Sequence, residues 1–534
     1  MRPTAATRGP LIAASLAVLL FVGYFQFPGH VYLQSDTQIY APILEHLQDP
    51  SLFRKDLIVE YPHVSLTLYD ECALAVRKLT GLDLEHALAI PQLVTRFLGL
   101  LGFYLMASAA GLAPPFALFV TACLALGATI FGPSVLAFEY EPVPRGFAIP
   151  LVYLAVGLAA HKRWLGAGLA ASAGFLFHPP STYPFWGAYA ILLLWPGEKK
   201  ARSRALIPLA CALAVLYAAS GGGGSQSLFR RVEPLEESLQ RMRASYVWVS
   251  NWAPAWMPHY AILCAALGLA LSRIRSHITP ELRLFAAAMP LIGIASVPVS
   301  YLMLERAGLS LMPQFQPTRA LLFVAVMTAF AAAAAGCWAV TGRRHIEAVA
   351  WFAIAYAIPA RVKFSAPPTW KMAAVVAGLA MAAAIPKRAA LAATALAAFF
   401  VIPLGVGFQN SSSLEHEDLR ALSKWARDRT PADSVFLFPD AGRELYPGIF
   451  RARALRAVYV DWKAGGQVNF FRTMGDEWWK RWQATMTRPV DFSLYGPLGI
   501  DYVVVRSKHP LAGKTAAFEN AAYRVYRVDA GTAQ

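Results

Sequence analysis

Long apolar stretches without charge run through the chain as far as about residue 408. Four of them, at 11–23, 146–160, 320–340 and 389–406, contain no Asp, Glu, Lys or Arg. A helix needs about 20 residues to cross the hydrocarbon core of a bilayer, and shorter runs are extended at their ends. Only helices and closed barrels satisfy every backbone polar group in lipid, and these runs lack the alternation of a barrel strand. The pattern therefore predicts a polytopic α-helical membrane protein.

The hydrophobic pattern predicts about thirteen membrane-spanning helices. The predicted segments are 10–27, 86–109, 114–132, 146–160, 164–180, 182–196, 205–220, 258–273, 284–304, 320–341, 346–361, 371–385 and 389–408. The composition agrees, because charged residues make up 15% of the chain and apolar residues 57%. A soluble globular protein has about 25% charged residues.

Positive charge is concentrated in alternate short loops. A net charge of +16 in a soluble chain would suggest binding to nucleic acid, but here its placement indicates a bilayer. The positive-inside rule makes the side with these residues cytoplasmic: Arg2, Arg8, Lys162, Arg163, Lys199, Lys200, Arg202, Arg204, Arg273, Arg275, Arg283, Arg343, Arg344, Lys387 and Arg388. An odd number of spans then predicts a cytoplasmic N-terminus and a periplasmic C-terminus in the cell inner membrane. No nucleic-acid partner is expected.

Three segments outside the predicted spans are longer than a turn requires. The first, 28–85, contains amphipathic helix patterns at 39–47 and 66–79. The second, 221–257, passes from a Gly-rich stretch into a charged helix at 233–243. It ends with aromatic residues of the kind that favour the headgroup level, namely Tyr246, Trp248, Trp252 and Trp256. This segment is predicted to lie on the membrane surface, either as an anchor or as a mobile flap over a lipid-linked substrate.

The third segment is the tail, which is predicted to form a separate domain. Its strands and helices alternate, and this order favours a small α/β fold. The predicted helices are 418–429 and 477–486, and the predicted strands are 434–438, 457–460, 502–505 and 522–528. We therefore divide the chain into a transmembrane domain at 1–409, which carries the two outer loops, and an extracytoplasmic α/β domain at 410–534.

Polar groups at a membrane boundary are costly, which makes them candidates for function. The predicted outer face carries such groups in four loops that are far apart in the sequence: Asp36, Glu139, Glu141, Arg145, His178, Gln316 and Arg319. Their common face predicts one cavity surrounded by Asp36, the two glutamates and the histidine. The two arginines are expected on its lipid-facing side.

The carboxylates suit a metal ion or a general base. The spacing of Glu139 and Glu141 presents two carboxylates to one hard cation such as Mg²⁺ or Mn²⁺. Asp36, from another loop, either completes that site or takes a proton from an acceptor hydroxyl.

The basic and amide side chains suit a phosphate. Arg145 and Arg319 carry guanidinium forks that match phosphate or pyrophosphate at the headgroup level. His178 is a candidate ligand, phosphate partner or acid, and Gln316 belongs with it to the predicted substrate-binding set.

Each candidate also has a purely structural interpretation. Asp36 is a favoured residue to cap the helix that starts at Thr37, and the two glutamates suit a solvated loop. Arg145 could extend its charged group to the membrane–water interface. His178 could form a hydrogen bond with a backbone carbonyl at the end of a helix. Arg96 differs because it lies within a predicted span, where its charge requires a carboxylate or carbonyl partner inside the bundle.

The whole chain resembles the GT-C superfamily of multi-span glycosyltransferases. The resemblance rests on an acidic residue in the first outer loop (Asp36), an acidic motif in the next (Glu139-Tyr140-Glu141), basic residues at outer span ends (Arg145, Arg319) and an outer α/β domain. The tail is similar to tails of uncharacterised bacterial members. The resemblance implies inverting transfer of a sugar from a polyprenyl phosphate to an acceptor glycan, lipid or protein outside the cytoplasmic membrane.

Two other functions remain open from the sequence. One is a transporter or flippase for a lipid-linked glycan, although the inverted repeats and matching broken spans that are typical of transporters are not apparent. The other is a non-catalytic scaffold for assembly or binding on the same framework.

Overall fold

The computed structural model describes residues 5–62, 67–219, 230–360, 388–406 and 414–528. The chain divides into two compact units. The helical unit comprises Met1–His30, Ala89–Arg231 and Tyr246–Asn410, and the α/β unit comprises Val31–Leu88, Val232–Ser245 and Ser411–Gln534. The α/β unit thus combines the tail with most of the first predicted outer loop and part of the second.

The helical unit is built from the predicted apolar segments. Every predicted span within the described residues contains a helix, although 114–132 is helical only over Pro114–Ala125, and the candidate at 371–385 lies outside the described residues. These helices are Ala5–Phe25, Leu84–Ala109, Pro114–Ala125, Pro144–Ala160, Trp164–Phe177, Pro179–Leu194, Leu206–Ala219, Trp256–Ile274, Pro280–Ser300, Leu322–Thr341, His345–Ala357 and Arg388–Val406. Shorter helices in this unit are Lys199–Arg202 and Leu311–Phe315.

Five helical segments of the described chain are long and apolar enough to cross a membrane: Leu84–Ala109, Lys199–Ala219, Trp256–Ile274, Pro280–Arg306 and Leu311–Thr341. Six shorter apolar helices accompany them. Large apolar side chains remain exposed on their surfaces, such as Leu11, Ile207, Leu269 and Leu291 at 60–66% of their area. Water would oppose such exposure and lipid favours it. The protein is therefore a multi-pass α-helical membrane protein.

The helix Leu322–Thr341 lies at the centre of the helical unit, and nearly all of its side chains are buried. Its run of alanines lets neighbouring backbones approach closely, which is how helices pack in lipid. At Gly336 a β-carbon would lie 2.4 Å from the ring of Phe352. Similarly, Gly102 packs so tightly that a β-carbon there would lie 2.4 Å from the backbone of Tyr153.

The α/β unit contains a five-stranded mixed sheet in the order β2-β1-β3-β5-β4. The strands are β1 Val435–Leu437, β2 Ala457–Val458, β3 Tyr502–Arg506, β4 Phe518–Glu519 and β5 Tyr523–Arg527. β1 pairs in parallel with both β2 and β3, and β5 is antiparallel to β3 and β4. The four predicted strands are confirmed, whereas the two-residue β4 carried too little pattern to be predicted.

The α/β unit also contains helices from all three of its sequence segments. They are Thr37–Gln48, Leu57–Glu60, Tyr69–Thr80, Pro234–Arg243, Glu417–Arg429, Tyr446–Ala454, Arg472–Thr485 and Phe492–Tyr495. The patterns at 39–47, 233–243, 418–429 and 477–486 are thus confirmed as helices. Of the predicted helix 66–79, the part from Tyr69 onward is confirmed, and residue 66 lies outside the described residues. The chain is therefore mostly helical, with a small C-terminal α/β fold, as the sequence predicts.

Candidate functional site

Glu139 and Arg145 form a buried ion pair in the helical unit. Arg145 Nε donates to Glu139 Oε1 at 2.7 Å, and the two side chains are only 11% and 3% exposed. Arg145 Nη2 reaches the other carboxylate oxygen at 3.3 Å, while the Leu136 amide donates to Oε1 at 3.0 Å. Because water does not solvate either charge, the stability of such a buried pair depends on close, well-oriented hydrogen bonds between the two groups. The interpretation of Arg145 as a side chain that extends to the interface is therefore wrong.

Arg96 finds its partners among backbone carbonyls. Its Nη2 donates to the carbonyl of Glu139 at 2.6 Å and to that of Gly29 at 2.8 Å. Its guanidinium also lies 5.3 Å from the ring centroid of Tyr24. The expectation of a partner inside the bundle is confirmed. Arg96 therefore fixes the loop that carries Glu139 from the backbone side, while Arg145 binds the carboxylate.

The two glutamates are both buried, so the interpretation as a solvated pair is wrong. Gly146 leaves them room, because a β-carbon there would lie 3.1 Å from Glu139 Cβ and 3.2 Å from the Glu141 carbonyl oxygen. Within the described residues, no group of three or more His, Cys, Asp or Glu side chains is arranged to hold a metal ion. Binding of Mg²⁺ or Mn²⁺ by Glu139, Glu141 and Asp36 stays a prediction.

A second cluster in the helical unit joins His178 to Arg319. His178 lies between the helices Trp164–Phe177 and Pro179–Leu194, and Arg319 lies in the 3₁₀ turn Pro317–Leu321. Arg319 Nη1 is 3.3 Å from His178 Nε2, and His178 Nδ1 is 2.9 Å from Ser181 Oγ. Because a guanidinium only donates, this contact requires an unprotonated Nε2 and a proton on Nδ1. Two side chains that can both be cationic are thus side by side.

Gln316 supports the same cluster with an unusual backbone. Its φ of 49° and ψ of 61° lie in the left-handed region. This conformation is energetically unfavourable for a residue that has a β-carbon. The side chain is 3% exposed, and its Oε1 accepts no hydrogen bond from the described residues. Tyr183 holds the next residue by donating to the Pro317 carbonyl at 2.7 Å. Strain and an unsatisfied buried amide oxygen are features that concentrate at functional sites.

In the α/β unit, Asp36 forms an ion pair with Lys463. Lys463 Nζ lies 2.6 Å from Asp36 Oδ1 and 2.8 Å from Ser35 Oγ. The side chains of Asp36 and Lys463 are 27% and 13% exposed, so the pair is largely enclosed and still accessible. Asp36 precedes the helix Thr37–Gln48, but its side chain makes no capping hydrogen bond. The interpretation of Asp36 as a helix cap alone is therefore wrong.

The loop that carries Asp36 is fixed by its neighbours in the same unit. Thr37 Oγ1 accepts a hydrogen bond from the Leu33 amide at 2.8 Å, and Gln38 Nε2 donates to the Leu33 carbonyl at 2.8 Å. Gln38 packs against Gly448, where a β-carbon would lie 2.2 Å from its Oε1. Glycine at this position therefore allows the loop to approach the helix Tyr446–Ala454.

A buried triad of charges fixes the segment that carries Lys463. Arg451 Nε donates to Asp56 Oδ2 at 2.6 Å and Nη2 to Asp461 Oδ1 at 2.9 Å, and all three side chains are fully buried. Asp461 Oδ1 also accepts from the Ala464 amide at 3.1 Å, which shapes the turn around Lys463. Burial acts to lower the pKa of Arg451, but the charges of Asp461 and Asp56 raise that pKa well above its usual range.

Lys463, Arg451, Asp56 and Asp461 were not among the residues predicted from the sequence. One signal was available, because Asp461 and Lys463 directly follow the predicted strand 457–460. Ligands of open α/β sheets bind at the carboxyl ends of parallel strands. Asp56 and Arg451 carry no local signal, since their pairing joins residues that are 395 positions apart.

The predicted site residues therefore form three groups. The structure brings Glu139 together with Glu141 and Arg145, joins His178 to Arg319 with Gln316 three positions away, and pairs Asp36 with Lys463 in the α/β unit. One cavity that contains all of them stays a prediction.

Part of the tail matches a known sequence family. Residues 417–485 match the model of a domain of unknown function, DUF6798. No curated protein matches the chain.

Crystal structures with a similar fold include two of ArnT from Cupriavidus metallidurans. The apo form has 14% identity and a TM-score of 0.46, and the form bound to undecaprenyl phosphate has 12% and 0.47, each over 99% of both chains. A third is the oligosaccharyltransferase of Archaeoglobus fulgidus, tethered to an acceptor peptide with the NVT sequon. It has 13% identity and a TM-score of 0.40, over 94% of this chain and 70% of that one. These likenesses are distant.

Proposed function

We propose that the protein is an inverting glycosyltransferase that moves a sugar from a polyprenyl phosphate to an acceptor on the outer face of the cytoplasmic membrane. The observation that carries the proposal is the contact between Arg319 and His178 beside the strained, buried Gln316. A phosphate bound there would accept hydrogen bonds from the guanidinium and from a protonated imidazole. It would also favour the protonated imidazole, because an adjacent negative charge stabilises the cationic form.

The reaction needs a general base and a stabilised leaving group. The acceptor oxygen attacks the anomeric carbon of the sugar, and the bond from that carbon to the phosphate oxygen breaks with its electron pair. The acceptor proton passes to the Asp36 carboxylate, whose Oδ1 is oriented by Lys463. The polyprenyl phosphate leaves with added negative charge, which Arg319 and His178 stabilise by charge-assisted hydrogen bonds.

Glu139 and Arg145 have a supporting place in this proposal. Since both carboxylate oxygens of Glu139 accept from Arg145, the pair shapes the start of the helix Pro144–Ala160. Binding of the donor phosphate by Arg145 stays a prediction from the sequence, because Glu139 neutralises this guanidinium in the structure. If Mg²⁺ or Mn²⁺ takes part, Glu139 and Glu141 would supply its carboxylate oxygens.

Replacing Arg319 with alanine is expected to weaken binding of a radiolabelled polyprenyl phosphate by about 10- to 150-fold. The variant removes a charge-assisted hydrogen bond that contributes about 1.5–3 kcal/mol. The measurement is equilibrium binding to purified protein in nanodiscs. Arg275→Ala is the matched control, because Arg275 is exposed at the end of the helix Trp256–Ile274. Equal affinity of the Arg319 variant and the control would contradict the phosphate site.

The orientation in the membrane is tested by reporter fusions. An alkaline phosphatase fused after Gln534 is expected to be active because that enzyme folds only outside the cytoplasm. The same reporter fused near Lys200 is expected to be inactive, since the basic loop is predicted to be cytoplasmic. Activity at Lys200 and none at the terminus would overturn the orientation and, with it, an outer reaction site.

A further inference from the structure

Two arginines of the α/β unit lie against one tryptophan ring. The guanidinium carbon of Arg243 is 3.6 Å from the centroid of the Trp462 ring, and that of Arg443 is 4.8 Å from it. Arg243 also lies 5.7 Å from the ring of Trp478 and donates through Nη2 to the carbonyl of Trp462. The ring thus gathers two cationic side chains at one place, and a local excess of positive charge attracts anions.

The sheet topology brings these residues to the edge where ligands bind. Arg443 follows β1 and Trp462 follows β2, and the two strands pair in parallel with Val435 opposite Ala457. Their carboxyl ends are therefore neighbours. β2 and β3 lie on opposite sides of β1, so the connections reverse direction at β1. In open α/β sheets, ligands bind outside the carboxyl ends of strands at such a reversal.

Close packing holds the first arginine in place. At Gly465 a β-carbon would lie 2.5 Å from the ring of Trp478 and 2.8 Å from Arg243 Nε. Only glycine leaves room at this position for Arg243 beside the two indoles. The guanidinium is thus fixed by stacking before any ligand arrives, which reduces the entropy lost on binding.

Three other cationic side chains near this edge are neutralised by carboxylates. Lys463 pairs with Asp36, Arg451 with Asp56 and Asp461, and Arg506 with Glu444. No ion pair joins Arg443 to a carboxylate within the described residues, and its contact there is the ring of Trp462. An exposed guanidinium that lies over an indole retains its N–H donors for an oxyanion.

We propose that Arg443 and Arg243, held on Trp462, form a binding site for an oxyanion carried by the acceptor, as a phosphate or carboxylate group. This assignment rests on the proposed function, because Lys463, the partner of the proposed base Asp36, follows Trp462 directly in the chain. The acceptor is therefore an anionic saccharide or lipid, with its charged group on the arginines and its hydroxyl toward Asp36.

The test measures binding of three hexoses to the full-length protein in a phosphate-free detergent. Glucose 6-phosphate and glucuronate carry the two oxyanions, and glucose is the neutral probe. Both anionic probes are expected to bind at least about tenfold more tightly than glucose, and less tightly as ionic strength rises. Arg443→Gln is expected to abolish this preference, whereas Arg488→Gln, at an exposed arginine of the same unit, retains it.

Two results would overturn the site: equal affinity of the wild-type protein for all three hexoses, or an unchanged preference in Arg443→Gln. Preference for one anionic hexose alone identifies the group as phosphate or carboxylate.

Asp36→Asn separates this proposal from the transferase reaction. Because that variant leaves Lys463 without its carboxylate, the anionic probes are expected to bind more tightly while transfer is lost. Retained transfer with intact anion binding would refute the role of Asp36 and leave the oxyanion site standing.

Discussion

Asp36→Asn is expected to abolish sugar transfer while the protein folds, inserts into the membrane and binds the polyprenyl phosphate. Asparagine keeps the size of the side chain and a carbonyl oxygen for Lys463, but it cannot accept the proton of the acceptor hydroxyl. Loss of a general base costs about 10²- to 10⁴-fold in rate. The measurement is transfer from a radiolabelled lipid-linked sugar in membranes that contain equal amounts of each variant.

Asp49→Asn is the matched control for this experiment. Asp49 follows the other end of the helix Thr37–Gln48, and its exposed carboxylate only accepts hydrogen bonds from Ser51. This control is expected to retain activity. Wild-type transfer by Asp36→Asn would remove the catalytic assignment and favour transport or a scaffold role, since neither needs a base at this position. Lys463→Met provides a second readout, because it disturbs the orientation of Asp36 without removing its charge.

Arg451→Met is expected to reduce the stability of the α/β unit by about 3–5 kcal/mol, the usual cost of removing one partner of a buried ion pair. The substitution leaves Asp56 and Asp461 fully buried without their guanidinium. The loss is measured by thermal or denaturant unfolding, followed by Trp fluorescence. Arg420→Met is the control, because Arg420 is 59% exposed and exposed pairs contribute only about 0–1 kcal/mol.

The pH dependence of Arg451→Met distinguishes lost charge pairing from lost packing. Without the arginine, the two carboxylates are buried with no opposite charge, and adding a proton removes that cost. The deficit relative to wild type is therefore expected to shrink as the pH falls from 7 toward 4. A deficit that is constant over this range would show that the arginine acts through packing alone.

The transmembrane helices could be predicted because the apolar pattern acts locally. Lipid requires each crossing segment to be apolar and to satisfy its own backbone hydrogen bonds. The strands at 434–438 and 502–505 were also evident, because short β-rich runs between turns carry a local pattern. β4 contains only Phe518 and Glu519, and its pairing with β5 rather than its own sequence makes it a strand.

The candidate site could be predicted only in part. Asp36, His178 and Arg319 were identified because polar residues at a membrane boundary are energetically costly and therefore are candidates for function. Their partners were hidden by distance along the chain: Lys463 is 427 positions from Asp36, and Arg319 is 141 from His178. The capping role of Asp36 was equally consistent with the sequence, and the observed side-chain contact decides against it.

The sequence by itself determined that this is a multi-pass helical membrane protein with an α/β tail, because burial in lipid and strand formation leave periodic local patterns. Tertiary structure alone decided that the first outer loop belongs to the α/β unit, through the burial of Asp56 against Arg451. It also decided that Glu139 binds Arg145 and that two arginines share Trp462. These pairings depend on which charged groups lie close together in the protein interior. The low dielectric there makes an ion pair strong and an unpaired charge costly. That energy depends on distances in the folded chain, and no local pattern of residues encodes it.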